Sequence, residues 1–496
     1  MIVFYCRYLL IALGLALVCY FVLTASAVAE ESCLPIEMPA ADAFFSAKKR
    51  VFAHYFNRFP ISIDNRAPTE DYYAKNYLRP EGESGKWQAQ GGFLRSRPLP
   101  LPPGDPNRYA VENLKAEIRL ALSRGITGFT YDILSPDDVK PGGRLSQMLT
   151  AAEEVDPRFA IMPMPDMASL KGDVAQFVTI INALYDQKGL FHLPDGRLVV
   201  SPFLAEAVQA SVWAATLREF ASNGKRLAFI PTSLSLGEDR VRLNSDFSFG
   251  FATFGTPLPS EGEGIKRWSA ALSKQGKLFM AGIGVQGYRP KDYLYWEAQG
   301  STSYRNSWRG AIDGGAEWIQ LTTWNDFSET TQIEPYTDSA GAAGTGFFDL
   351  TAVYASEFVL GEKPQIIRDA LYYFYRRQKV AARAEKMESR MNNAVPSQPG
   401  LDQIELVGVL AAPGTLEIRV GDKVFRKDVE AGVQSFSAPL VSGTPRFSLL
   451  RKGVRALTVD GSVTVDAGTA ASGGYTDLTY WSGGASVGAG NQNCSH

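Results

Sequence analysis

The stretch Ala316-Glu-Trp-Ile-Gln-Leu-Thr-Thr-Trp-Asn-Asp-Phe-Ser-Glu-Thr-Thr-Gln-Ile-Glu-Pro335 decides how the rest of the chain is read. An apolar, strand-like run from Trp318 to Thr323 ends abruptly in Trp324, Asn325, Asp326, Phe327, Ser328 and Glu329, with Glu334 following. A buried strand thus opens into a loop that holds three carboxylates. Two readings compete. Asp326 and Glu329 have the spacing of a capping box, which spacing alone favours. They also have the position of an acid/base pair at the mouth of a core strand, and a simple cap does not require Trp324, Asn325 and Phe327 around it.

Working outward, seven further short apolar segments precede this one: Val51 to Asn57, Gly128 to Ile133, Phe159 to Pro163, Leu198 to Pro202, Leu227 to Thr232, Phe247 to Thr253 and Leu278 to Gly284. With Trp318 to Thr323 they make eight, separated mostly by helical or loop-rich stretches, as a (β/α)8 TIM barrel requires. Helical periodicity is clearest at Val111 to Leu122, stopped at Gly125, and at Leu204 to Ala221, stopped at Gly224, each glycine being suited to a C-terminal cap. The opening stretch becomes the eighth strand, and its loop falls on the face where such barrels carry catalytic groups.

Between the first two strands lies a long connection, residues 58–108, rich in Pro, Gly, Tyr and charge and including Asp64, Asp71, Tyr72, Tyr73 and Trp87. Its length and aromatic content predict part of a substrate groove. The barrel is expected over residues 30–380. Arg376 to Met391 reads as a charged helix, residues 381–400 as helix and linker, and 401–466 as a small β-sandwich of short alternating strands. The predicted strands there are Ile404 to Leu410, Gly414 to Val420, Val424 to Val429, Val433 to Pro439, Arg446 to Arg451 and Ser462 to Val465. The Gly/Ser-rich tail, 467–496, is expected to be poorly ordered unless Cys494 pins it.

Composition narrows the partners. The 496 residues carry a net charge of -2, and no Lys/Arg run suited to polyanions appears, which argues against nucleic acid. An 11% aromatic content with near-neutral charge suits an uncharged glycan, a polysaccharide or oligosaccharide. Residues 1–29 carry one charge, Arg7, then an apolar run from Leu9 to Leu23 and an Ala27-Val28-Ala29 site, the pattern of a cleaved secretory signal. A run of that length can also act as an uncleaved membrane anchor. Cleavage leaves Cys33 and Cys494 in an oxidising, secreted or periplasmic setting, where a Cys33–Cys494 disulfide can join the two ends. His54, His192 and His496 are the only histidines, and no Cys/His group has metal-ligand spacing, so no metal or organic cofactor is expected.

At the strand ends the sequence resembles glycoside hydrolase family 71, the secreted α-1,3-glucanases or mutanases. The likeness rests on Val51-Phe-Ala-His-Tyr-Phe56, Arg124-Gly-Ile-Thr-Gly-Phe-Thr-Tyr-Asp132, Pro165-Asp-Met167 and, most specifically, Thr323-Trp-Asn-Asp-Phe-Ser-Glu329. The segment Ala431-Gly-Val433 before Phe436-Ser-Ala-Pro-Leu440 resembles that family's C-terminal β region, so the likeness runs from about residue 50 to 460. In family 71 the last motif continues closer to Gly-Glu-Ser-His-Tyr-Ile. Here Thr330-Thr-Gln-Ile-Glu-Pro335 follows, which is similar to family 99, the endo-acting α-mannosidases. The resemblance implies an inverting hydrolase with Glu329 as general acid and Asp326 as base, although either carboxylate can take either role.

Around that pair, Asp132 at the end of the second strand and Asp166 after the third can orient sugar hydroxyls, or can cap the helices that follow them. His54 reads as a buried, hydrogen-bonded histidine or, by the resemblance, as a residue facing the sugar. Tyr55 and Trp324 can stack on a sugar or pack in the core, and Asn325 can bond hydroxyls. Glu334 reads as a residue that fixes the loop. The rival functions are an endo-α-mannosidase or exopolysaccharide hydrolase and a non-catalytic carbohydrate-binding protein.

Overall fold

The computed structural model describes residues 33–488 and 493–495. The signal sequence expected over 1–29 lies outside them. Eight parallel strands form the barrel: β1 Arg50–Tyr55, β2 Gly128–Ile133, β3 Ala160–Pro165, β4 Leu198–Val200, β5 Leu227–Phe229, β6 Gly250–Thr253, β7 Leu278–Gly284 and β8 Trp318–Thr322. Each coincides with one of the eight segments expected from the sequence. Strand β1 pairs with β8 on one side and with β2 on the other, which joins the two ends of the ring. On the far side the ring closes through Ser201 N–H to Pro163 O (3.0 Å), Ile230 N–H to Val200 O (2.9 Å) and Phe249 N–H to Phe229 O (2.8 Å).

Alternation along each strand divides the apolar side chains into two layers. Phe52, Met162, Val199, Ile230, Met280 and Trp318 meet inside the barrel. Val51, Ala53, Tyr55, Phe129 and Ile161 point outward, against helices that include α1 Tyr109–Ser123, α2 Arg144–Val155 and α3 Val174–Leu184. Both glycines expected to stop helices have positive φ, +77° at Gly125 and +75° at Gly224, the left-handed geometry that a C-terminal cap needs. The long connection after β1 is packed around buried aromatics. Phe59 contacts Tyr77, Phe93 and, at 6.2 Å, Phe327 of the loop after β8, while Arg97 forms a buried ion pair with Asp71.

A two-sheet sandwich follows. One sheet has the order Gly432–Pro439, Gln403–Leu410, Ala370–Tyr375, Trp481–Val487, Asn493–Ser495. The other has the order Lys423–Val429, Gly414–Val420, Arg446–Arg451, Val454–Asp460. The two sheets meet where Tyr373 stacks on Phe447, with ring centres 4.9 Å apart.

Two local expectations are corrected. Arg376 to Met391 forms no helix. Its charged side chains are drawn to separate partners, Arg376 to Glu297 at 2.8 Å and Arg377 to Asp338 at 3.0 Å, instead of sharing one helical face. Ser462 to Val465 is not a strand. The Tyr375 hydroxyl accepts the Val463 N–H and donates to its carbonyl, capturing the backbone that a ladder would use, and Val454–Asp460 is the edge strand in its place. Within the tail, Trp481–Val487 lies inside a sheet and Cys494 forms the disulfide with Cys33, which is the condition the sequence set for its order. No helix among the described residues is long and apolar enough to cross a membrane.

Candidate active site

Polar side chains gather at the C-terminal ends of β1, β2, β3, β7 and β8. The loop after β8 is closed at its base, where Thr323 N–H donates to Thr331 O (2.8 Å) and Ile333 N–H donates to Thr323 O (3.0 Å). Within it, Asp326 N–H donates to Thr323 Oγ1 at 2.7 Å. Asp326 Oδ1 accepts three hydrogen bonds: Ser328 N–H (2.9 Å), the Ser328 hydroxyl (2.8 Å) and Glu329 N–H (3.1 Å). The capping reading is therefore half realised, on one oxygen of Asp326. Glu329 does not complete the box. Its carboxylate lies 3.3 Å from the Arg289 guanidinium, which also pairs with Asp292 at 2.8 Å.

The two carboxyls sit in different surroundings. Burial raises the pKa of Asp326, against the pull of the Ser328 and Glu329 donors and of the nearby Lys291. Glu329 is pushed up to about 7, first by desolvation and then by the charge of Asp326, with Arg289 and Lys291 opposing. More than a quarter of the Glu329 side chain remains open to solvent, as access to a ligand requires.

Asp132 is almost completely buried, and its Oδ1 has no hydrogen-bond partner among the described residues. Desolvation first, then the charges of Asp166 and Asp326, hold its carboxyl well above the usual range. Three aspartates, one at the end of β2 and two from the loops after β3 and β8, thus share one electrostatic neighbourhood. His54 faces Asp132 with Nε2 3.9 Å from Oδ2, while its Nδ1 lies 3.2 Å from the Met164 sulfur and its ring meets Phe254 edge-on. Burial lowers the His54 pKa to about 3, so the imidazole is neutral, and burial also pulls the Asp132 carboxyl toward its uncharged form. Asp166 is committed to its own turn: Oδ1 accepts Ala168 N–H (2.8 Å) and Ser169 N–H (3.2 Å), and Oδ2 accepts the Ser169 hydroxyl (2.6 Å).

The remaining expected binding residues lie elsewhere. Tyr55 is on the outward face of β1, stacked on Tyr131 at 5.6 Å in the layer between barrel and helices. Trp324 is fully buried in that layer, between Phe129 and Phe348, and its backbone N–H donates to His54 O at 2.7 Å. Asn325 is also fully buried. Its Oδ1 accepts Phe56 N–H (2.8 Å) and its Nδ2 donates to Phe59 O (3.2 Å), fastening the loop after β1 to the loop after β8. Its amide supports the site from beneath.

The tail of the motif is buried as well. Gln332 donates to Ser96 Oγ at 3.1 Å, and Glu334 lies beside Glu117 of helix α1, both carboxyls raised by burial. The residues that suggested a family 99 substrate therefore point into the protein. Arg289 and Lys291 were not anticipated. Their only sequence signal is basic residues in the segment Tyr288-Arg-Pro-Lys-Asp292, just beyond the seventh strand.

The chain is 23% identical over 391 residues to the glucan endo-1,3-alpha-glucosidase agn1 of Schizosaccharomyces pombe, an alignment covering 73% of this chain and 89% of that protein. It is 22% identical over 383 residues to the mutanase Pc12g07500 of Penicillium rubens, covering 72% and 82%. Among solved structures, a GH99 endo-alpha-mannosidase from Bacteroides thetaiotaomicron superposes with a TM-score of 0.46 at 16% identity, covering 62% of this chain and 97% of that one. The sequence model of glycosyl hydrolase family 71 matches residues 104–493, and the chain is a glycoside hydrolase belonging to that family.

Proposed function

We propose that this enzyme hydrolyses α-1,3-linked glucan outside the cytoplasm, with Glu329 as general acid and Asp326 as the base that activates water. The observation that carries the assignment of roles is the asymmetry between the two carboxyls. Three donors converge on Asp326 Oδ1 and favour its ionised form, whereas Glu329 receives no such set and keeps its proton up to about pH 7.

In the proposed reaction Glu329 gives its proton to the glycosidic oxygen as the bond to the anomeric carbon breaks. Asp326 takes a proton from water as the water oxygen bonds to that carbon from the opposite face. The products are a shortened glucan and a new reducing end of inverted configuration. Inversion is carried over from the family resemblance. The buried Asp132 carboxyl, pushed by burial toward its uncharged form, and the neutral His54 are suited to hydrogen-bonding sugar hydroxyls while limiting further charge beside the developing oxocarbenium ion.

The linkage is supported by the Schizosaccharomyces pombe relative, whose name is glucan endo-1,3-alpha-glucosidase. Export is supported by the apolar run before residue 30 and by the Cys33–Cys494 disulfide, a bond that persists in oxidising compartments. The test is reducing-end release from α-1,3-glucan and from α-mannan, with proton NMR of the first-formed anomer. Release from α-1,3-glucan with inversion is expected, and no release from it would overturn the reading.

A further inference from the structure

A cavity of 340 Å³ opens where the long connection after β1 meets the sandwich. Its walls include Arg95 from that connection, Asp338 from the segment after β8, and Arg377, Gln378, Asp466 and Tyr475 from the accessory region. This volume lies within the range of small-ligand clefts, roughly 300–1,000 Å³.

The walls are charged, yet most of their charge is already matched. Arg377 bonds Asp338 and contacts Asp477, each at 3.0 Å. The Arg95 guanidinium is taken up by main-chain carbonyls, those of Gln90 at 2.6 Å and Thr476 at 3.1 Å among them. Asp466 Oδ1 accepts Gly468 N–H at 3.0 Å. What remains is Gln378, 1% exposed, whose Nε2 has no hydrogen-bond partner among the described residues. A buried amide donor left unpaired is costly, and a ligand oxygen can satisfy it.

These features select the ligand. An anion would meet three carboxylates. A metal ion is not served either, since no group of three or more His, Cys, Asp or Glu among the described residues is arranged to hold one. A neutral molecule dense in hydroxyls supplies acceptors to Gln378 and donors to the aspartates. One residue links this cavity to the candidate active site: Tyr288 donates its hydroxyl to Thr476 O in the cavity wall at 2.6 Å and its N–H to Glu329 O at 2.8 Å.

We propose that this cavity is an accessory saccharide-binding subsite that holds a remote part of the polymer being cleaved at Glu329, an inference that rests on the glucan reading above. Its test uses the full chain in a Glu329→Gln background for binding and an unaltered Glu329 for turnover. Gln378→Leu and Tyr475→Ala are each expected to weaken sedimentation binding to insoluble α-1,3-glucan by about fivefold, the loss typical of a missing hydrogen-bond partner. Polymer hydrolysis should fall in parallel, while kcat/KM on short soluble α-1,3-gluco-oligosaccharides stays unchanged. A thermal melt checks that each variant folds, and either variant alone can decide the outcome. Unchanged polymer binding overturns the subsite, as does an equal loss on long and short substrates. If the enzyme cleaves a different glycan, the same comparison is made on that glycan. Dependence on Gln378 there keeps the subsite while the α-1,3 reading fails, and independence overturns the subsite too.

Discussion

Glu329 donates its backbone N–H to the carboxylate of Asp326 at 3.1 Å, so one member of the candidate pair fixes where the other begins. Asp326→Asn keeps an acceptor for all three donors while removing the base. It is expected to fold with a thermal midpoint near that of the parent and to lose about a hundred- to ten-thousand-fold in kcat. Asp326→Ala loses the acceptor as well and should be less stable by about 1 kcal/mol. Calorimetry beside steady-state kinetics separates the two losses. An Asp326→Asn enzyme with parental kcat would remove Asp326 from the chemistry.

The pH dependence follows from the raised Glu329. A general acid must be protonated, so kcat/KM is expected to decline as pH rises through about 7. Arg289 favours the carboxylate form from 3.3 Å, so Arg289→Ala should move that limb to higher pH. A limb that stays in place in this variant would argue that another group supplies the proton.

Trp324 packs between Phe129 and Phe348 with no exposed surface. Trp324→Ala should therefore cost about 3–5 kcal/mol in folding through the cavity it leaves. Guanidinium unfolding measures this directly. A stable Trp324→Ala protein with only a raised KM would instead mean that the indole touches sugar.

The buried pair Glu117 and Glu334 makes stability pH-dependent. Burial raises Glu117 from 4.5 to about 8, so between these values the unfolded chain has released a proton that the folded chain still holds. That contribution is complete below about 4.5 and is lost as pH rises through about 8. The thermal midpoint should fall over this window, and Glu117→Gln should flatten the slope. An identical slope in the variant would assign the effect to other groups.

The barrel was legible because short apolar runs between glycine-stopped helices can be satisfied in few ways. The direction of individual side chains was less so. Both faces of a barrel strand are apolar, one toward the interior and one toward the helices, and period-two alternation does not say which is which. Tyr55 and His54 are neighbours on β1, yet Tyr55 faces the helices and His54 the mouth. The segment Trp481-Ser-Gly-Gly-Ala-Ser-Val487 carries almost no strand signal of its own. It is a strand because Gly483 and Gly484 leave room for the rings of Tyr373 and Tyr372 on the neighbouring strand. The third carboxyl of the candidate site, Asp132, is suggested by its place at the end of its strand, whereas Arg289 lies too far along the chain from Glu329 for spacing to connect them.

The sheet order of the sandwich also governs how the protein can be divided. Ala370–Tyr375, which directly follows the barrel in sequence, pairs with Gln403–Leu410 on one side and with Trp481–Val487 on the other. The last of these lies far along the chain from the strand it pairs with. The accessory region is therefore not a detachable module: a chain cut after residue 466 would expose one whole edge of a fully apolar strand, and a transplanted barrel would carry that strand with it. Fusion partners and truncations intended to keep activity should leave both chain ends, and the Cys33–Cys494 bridge between them, in place.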